Sequence, residues 1–208
     1  MGETEGVIKY QLDFLPSAPL AEDIGALNQW RSILHGLGLV GQQADRYLGY
    51  GFGNLSQRSR VNVEQFLISA SQTGHIAQLD ASHYSLIKSF DIEANRVQAT
   101  GCMPPSSESL SHAMIYRLNP QIQAVFHIHD PVLWQFGLRQ GYPSSSADVE
   151  YGTVAMAQEL ERLYLNSELS DCGVLMMAGH EDGVMVFGDS LDQVGLRLIQ
   201  LWVAAHTA

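Results

Sequence analysis

The chain has 208 residues, a length that suits one large α/β domain better than two. Hydrophobic residues make up 46% and charged residues 16%, the profile of a packed protein rather than a disordered one. The net charge is −11 with only two lysines, Lys9 and Lys88, and the absence of any basic run argues against a nucleic-acid-binding surface.

No apolar run approaches the length of a membrane span, and the N-terminal MGETEGVIKY lacks the pattern of a signal peptide. Cys102 and Cys172 have no metal-type spacing and read as reduced thiols, which makes a cytoplasmic location the expectation. Val7 to Phe14 alternates roughly and predicts an edge strand. Ser17-Ala18-Pro19, with Glu22 and Asp23 behind it, predicts a helix start. Leu20, Ile24, Leu27, Leu34 and Leu37 give that helix one face, and Gly38 can close it in a left-handed cap. Tyr47 to Arg60 is glycine-rich, allowing backbone N–H groups to approach a ligand, although a plain loop has the same composition.

Val63 to Ser69 reads as a strand followed by the turn Ser71-Gln72-Thr73-Gly74-His75. Tyr84 to Ile92 and Arg96 to Ala99 read as a hairpin around Ala94-Asn95, and His75 and His83 fall in polar, structural surroundings. Leu110, Ala113, Met114 and Arg117 mark a helix that ends at Asn119-Pro120. Asp130-Pro131 caps and starts another, and a polar loop follows over residues 141–151. Thr153 and Ser190 each cap a later helix. Val174 to Met177 and Val184 to Phe187 are two short strands joined by a turn that carries His180. Together these elements predict one α/β domain over residues 1–208, with a mixed, largely antiparallel sheet and helices on both faces.

The most informative stretch is Ala124-Val125-Phe126-His127-Ile128-His129, an apolar run bounded by Asn-Pro and Asp-Pro. On a strand, residues i and i+2 share a face, so both imidazoles leave the sheet together, which suggests a shared metal. A catalytic zinc site needs three protein ligands and an open position. His180 is the preferred third ligand, with Glu181 and Asp182 as carboxylates able to orient an imidazole. His112, four residues after Glu108 on the same helical face, is the competing third ligand and is expected beneath the site. Glu108 lies in the first turn of its helix, where it either compensates the helix dipole or serves as a general acid/base beside the metal, or as a ligand that substrate displaces. Ser106 and Ser107 either cap that helix or help to bind an anion.

These residues resemble the class II aldolase/adducin family, by the order of motifs over roughly residues 20–205. Gly53-Asn54-Leu55-Ser56 is similar to that family's Gly-Asn-x-Ser phosphate loop, Thr73-Gly74 to its second phosphate turn, and Ser106-Ser107-Glu108 to its Ser-Ser-Glu element. The resemblance implies that Gly53, Asn54, Thr73, Gly74, Ser106 and Ser107 hold a substrate phosphate. It also implies Glu108 as acid/base and His127, His129 and His180 as zinc ligands. The implied activity is cleavage or formation of a carbon–carbon bond in a small, phosphorylated ketose through a metal-stabilised enediolate, in a homotetramer with sites between subunits. Sugar-phosphate 4-epimerases and methylthioribulose-phosphate dehydratase share that chemistry, and adducin keeps the fold as a scaffold. Two features differ from the family pattern. Gly-His-Glu-Asp-Gly stands where Asn-His-Gly is usual. The family's aldolases use a C-terminal tyrosine, whereas Tyr142 and Tyr151 are the tyrosines available here.

Overall fold

A computed structural model describes residues 6–208, so Met1 to Glu5 of the N-terminal MGETEGVIKY lie outside the described residues. The elements run β1 (Gln11–Pro16), α1 (Gly25–Gly36), β2 (Gly41–Gln42), β3 (Gly51–Phe52), β4 (Asn54–Arg58), β5 (Phe66–Ser69), β6 (Tyr84–Asp91) and β7 (Arg96–Gly101). They continue through α2 (Ser109–Leu118), β8 (Ala124–His129), α3 (Pro131–Gln140), α4 (Val154–Asn166), α5 (Leu169–Cys172), β9 (Val174–Met176), β10 (Gly183–Gly188) and α6 (Leu191–Thr207). Eight strands form one sheet in the order β1-β7-β6-β5-β4-β8-β10-β9, while β2 and β3 pair separately. Every pairing in the large sheet is antiparallel except β1 with β7. The sheet is therefore mixed and largely antiparallel, with helices on both sides, as the sequence predicts.

Strand β8 divides two cores by its pleat. Val125 joins the apolar layer under α2 and α4, while Ala124, Phe126 and Ile128 join the layer under α1, α3 and α6. The imidazoles of His127 and His129 share the face of Val125. Helix α2 packs closely there, and every residue from Ser109 to Tyr116 is buried. Arg58, at the end of the glycine-rich stretch, donates to the carbonyls of Tyr116, Asn119 and Ile122. It thereby satisfies the carbonyl end of α2.

The predicted caps form. Asp130, Thr153 and Ser190 accept from the backbone N–H groups of Leu133, Met156 and Gln193. Gly38 follows α1 at φ +71°, in the left-handed conformation expected of it. Three element starts differ from the sequence reading, β5 beginning at Phe66 rather than Val63. Helix α1 starts at Gly25 because Asp23 accepts its N–H at 2.8 Å, while Glu22 accepts from Ser59 and Arg60 and ties the preceding segment to the end of β4. Strand β1 begins at Gln11, whose N–H donates to the Asn95 carbonyl, and Tyr10 instead donates its hydroxyl to the Ser106 carbonyl. The short helix α5 carries too few residues to show a periodicity.

Helices α1 and α6 meet at Trp30, whose indole N–H donates to Asp192 at 2.8 Å. A methyl group on Gly195 of α6 would sit 2.4 Å from that indole. Alanine gains about 1 kcal/mol of helix propensity over glycine. Displacing a rigid ring from a packed contact costs about 1–3 kcal/mol. The clash outweighs the propensity, so Gly195→Ala should lower the denaturant midpoint in an equilibrium unfolding experiment, against the usual effect of that change in a helix.

Candidate metal centre and its anion cleft

The register around β8 assembles the site. Strand β4 pairs on one side, with Asn54 opposite His127, and β10 on the other, with Met185 opposite His127 and Gly183 opposite His129. The turn before β10 returns His180 to the same face. Ring nitrogens of His127, His129 and His180 all lie within 4.8 Å of one another, and all three residues are buried. His127 Nε2 is 3.0 Å from His129 Nε2. Two imidazoles on one tetrahedral zinc, at the usual zinc–nitrogen length, place their nitrogens about 3.3 Å apart.

Protonation supports a cation among them. Burial lowers His127 to about 4, against the upward pull of Glu108, and burial also takes His129 well below the usual histidine range. The Nδ1–H of His127 donates to the Val184 carbonyl at 3.2 Å, which fixes the tautomer and leaves a lone pair on Nε2. That lone pair faces Glu108 Oε1 at 3.4 Å, and His180 Nε2 lies 3.2 Å from the same oxygen. Burial raises the Glu108 carboxyl, but the facing His127, His180 and His112 outweigh it and hold it down at about 2. Its second oxygen is buried with no hydrogen-bond partner among the described residues. The His127 lone pair facing a carboxylate oxygen is costly unless a positive charge lies between them. Three imidazoles with an adjacent carboxylate suit a divalent metal, so these residues can hold one.

His112 lies beneath, as expected, and does not join the three. Its Nδ1 is 2.7 Å from Ser56 Oγ, which also meets the Tyr116 hydroxyl at 2.8 Å, and burial lowers it to about 3. Glu108 precedes α2 at the cap position but makes no side-chain cap bond, so its carboxylate is left to the imidazoles.

Beside the cluster is a small cleft of about 30 Å³. Gly53, Asn54, Thr73, Gly74, Ser106, Ser107, Glu108 and His127 all line it. Close backbone approach explains two of the glycines. A Cβ on Gly74 would sit 2.2 Å from the Gly41 carbonyl oxygen, and Gly53, at φ +71°, would meet Val40 at 2.6 Å. Asn54 is buried, and its Oδ1 has no hydrogen-bond partner among the described residues.

Several neighbours were missed or misplaced by sequence reasoning. Lys9 reaches the neighbourhood of the histidines. Its ammonium sits 3.8 Å over the Tyr151 ring, which packs 4.4 Å from the His180 ring. Tyr142 lies elsewhere, at a surface cleft with Phe136 and Gln140. Asp182 accepts from the Tyr47 hydroxyl at 2.8 Å rather than from an imidazole, and Tyr47 packs its ring edge 4.7 Å from His129. Tyr47 and Phe52 both pack against the His129 ring. Residues 141–151 fold onto their own chain, where Ser145 bonds to Met176 and Ala178.

Gly183 leaves the room that the imidazoles need. A Cβ there would stand 2.8 Å from the His180 ring and 3.3 Å from that of His127. Gly183→Ala should therefore reduce bound metal severalfold in elemental analysis while the circular dichroism spectrum stays close to wild type. Undiminished metal content would show that the rings do not converge as described.

Comparison with known proteins agrees with the fold. The family described as class II aldolase and adducin N-terminal domain matches residues 43–208. Comparison with curated protein sequences returned no match. Among solved structures, the chain is similar to YgbL of Escherichia coli, a candidate aldolase/epimerase/decarboxylase, with 20% identity, 86% of this chain and 84% of that one covered, and a TM-score of 0.64. It is similar to L-fuculose-1-phosphate aldolase of Thermus thermophilus, with 19% identity, 88% and 90% covered, and a TM-score of 0.59. A sugar-phosphate aldolase of Thermotoga maritima gives 17% identity, 87% and 90% covered, and a TM-score of 0.65. At these identities the structural likeness is one of fold, and the family match adds the sequence evidence. The chain belongs to the class II aldolase and adducin family.

Proposed function

We propose that the chain is a zinc-dependent aldolase that cleaves or forms a carbon–carbon bond in a small, phosphorylated ketose. In this reading His127, His129 and His180 hold the zinc and Glu108 is the acid/base. Gly53, Asn54, Thr73, Gly74, Ser106 and Ser107 take the phosphate. The observation that carries the reading is the convergence of three imidazoles on Glu108, with Glu108 and His127 themselves in the wall of a cleft lined by all six of those residues. A cleft built from backbone and hydroxyl groups suits an anion in a chain of net charge −11. We extend the proposal to one domain over residues 1–208 and a cytoplasmic homotetramer with sites between subunits. Among the described residues no helix is long and apolar enough to cross a membrane.

When bound, the zinc supplies a Lewis acid that polarises the substrate's carbonyl and hydroxyl oxygens. The chain's own residues do the rest. The cleft fixes the phosphate end and so sets the distance from the reacting carbons to Glu108. The carboxylate, ionised at neutral pH, takes the proton of the hydroxyl on the carbon that leaves as aldehyde. The carbon–carbon bond then breaks, and a proton returns to the carbon left behind. Tyr151, against His180, is the tyrosine best placed to stand in for the family's C-terminal one.

Product analysis on ketose phosphates tests the reading. Release of an aldehyde supports it, whereas a conserved carbon skeleton would mean epimerisation and loss of water a dehydration. Glu108→Gln should retain zinc and lose roughly 10²–10⁴-fold in turnover. A fully active variant would remove Glu108 from the chemistry.

A further inference from the structure

The turn that lines the anion cleft is held from behind by α1, which precedes the family-matched residues. Arg31, on that helix, is buried at 3% exposure. Its guanidinium donates to the carbonyls of Ile76, of Ala77 at 2.9 Å and of Thr73 at 3.1 Å. One turn along α1, His35 Nε2–H donates to the Gly74 carbonyl at 3.2 Å. Among the described residues no carboxylate pairs with Arg31, and the titratable groups beside it are the Tyr84 phenol and the His35 imidazole. A buried guanidinium without a counter-ion is unusual, because an unpaired charge is expensive to remove from water.

The peptide unit is planar and trans, so a carbonyl and the N–H of the next residue point in opposite directions. Anchoring the Thr73 carbonyl on Arg31 turns the Gly74 N–H away from α1. Gly74 lines the cleft together with Thr73. The anchor therefore fixes the polarity of the turn, donors on one side and carbonyls on the other, and places a positive charge behind the donors.

We propose that Arg31 is the positioning residue of the anion cleft, the concealed cation whose counter-charge is the phosphate of the bound ligand. The inference rests on the phosphate reading given above. It assigns the charge compensation of that subsite to a residue that never touches the ligand, in a cleft whose lining contains no lysine or arginine among the described residues.

The test is calorimetric titration of the full chain with inorganic phosphate, comparing wild type with Arg31→Gln and Arg31→Lys. Both variants shorten the side chain and keep a donor, but only lysine keeps the charge. Arg31→Gln should weaken phosphate about tenfold or more. Arg31→Lys should weaken phosphate clearly less than Arg31→Gln does, because the charge survives while the fork to the carbonyls is lost. Metal content should be unchanged in both. Equal affinity in all three proteins, or equal loss in two folded variants, overturns the role of Arg31 and leaves the cleft assignment standing. Absence of phosphate binding by the wild type overturns the cleft assignment as well. The Arg31 Nε–H resonance, assigned by through-bond experiments on the wild type itself, gives an independent readout that no folding defect can obscure. It should shift during the phosphate titration, and a resonance that stays fixed while phosphate binds overturns the proposal.

Discussion

The pairing of β8 between β4 and β10 is the constraint on which the rest depends. A strand has a side-chain period of two, so its register decides which residues meet the helices on either side. In the observed register Val125, His127 and His129 turn toward α2, with Asn54, Met185 and Gly183 as their neighbours. A slip of one residue would bury Phe126 and Ile128 against α2 and send both imidazoles into the apolar layer beneath α1 and α6. The apolar residues at alternate positions therefore protect the site's geometry, because they make every other register costly.

Electrostatics imposes a second requirement. The chain is strongly acidic, yet its candidate site gathers a carboxylate, buried imidazoles and a cleft suited to an anion. Each charge is handled locally. Burial disfavours the charged forms of His127 and His129, which leaves them able to act as electron-pair donors. The carboxylate faces the His127 lone pair, an opposition that a cation would relieve. The cleft draws on backbone amides, hydroxyls and a guanidinium screened by carbonyls. Strong interactions inside a dry site follow from that arrangement, since no bulk water competes for the groups.

Much of this was legible in the residues. The His-x-His spacing within an apolar run announced both the strand and the shared face, and the caps at Asp130, Thr153 and Ser190 marked three helix starts. The motif order identified which separate turns would meet at one cleft. What stayed hidden came from contacts distant in sequence. Asp23 delays α1 because its carboxylate reaches Gly25, while Glu22 is drawn off to Ser59 and Arg60. Lys9 arrives beside His180 only through Tyr151, more than a hundred residues away. Tyr47 finds Asp182 through a left-handed backbone at φ 47°, which no local pattern foretells. Arg31 looks like an ordinary polar residue of an amphipathic helix until the turn at Thr73 folds beneath it.

The central claim is that three buried histidines form a metal site, and metal content measures it most directly. Elemental analysis of the purified protein, beside a variant carrying His127→Ala and His129→Ala, should give about one divalent ion per chain in the wild type and almost none in the variant. A wild-type protein that stays metal-free after dialysis against zinc would contradict the account and leave a scaffold that keeps the histidines without using them.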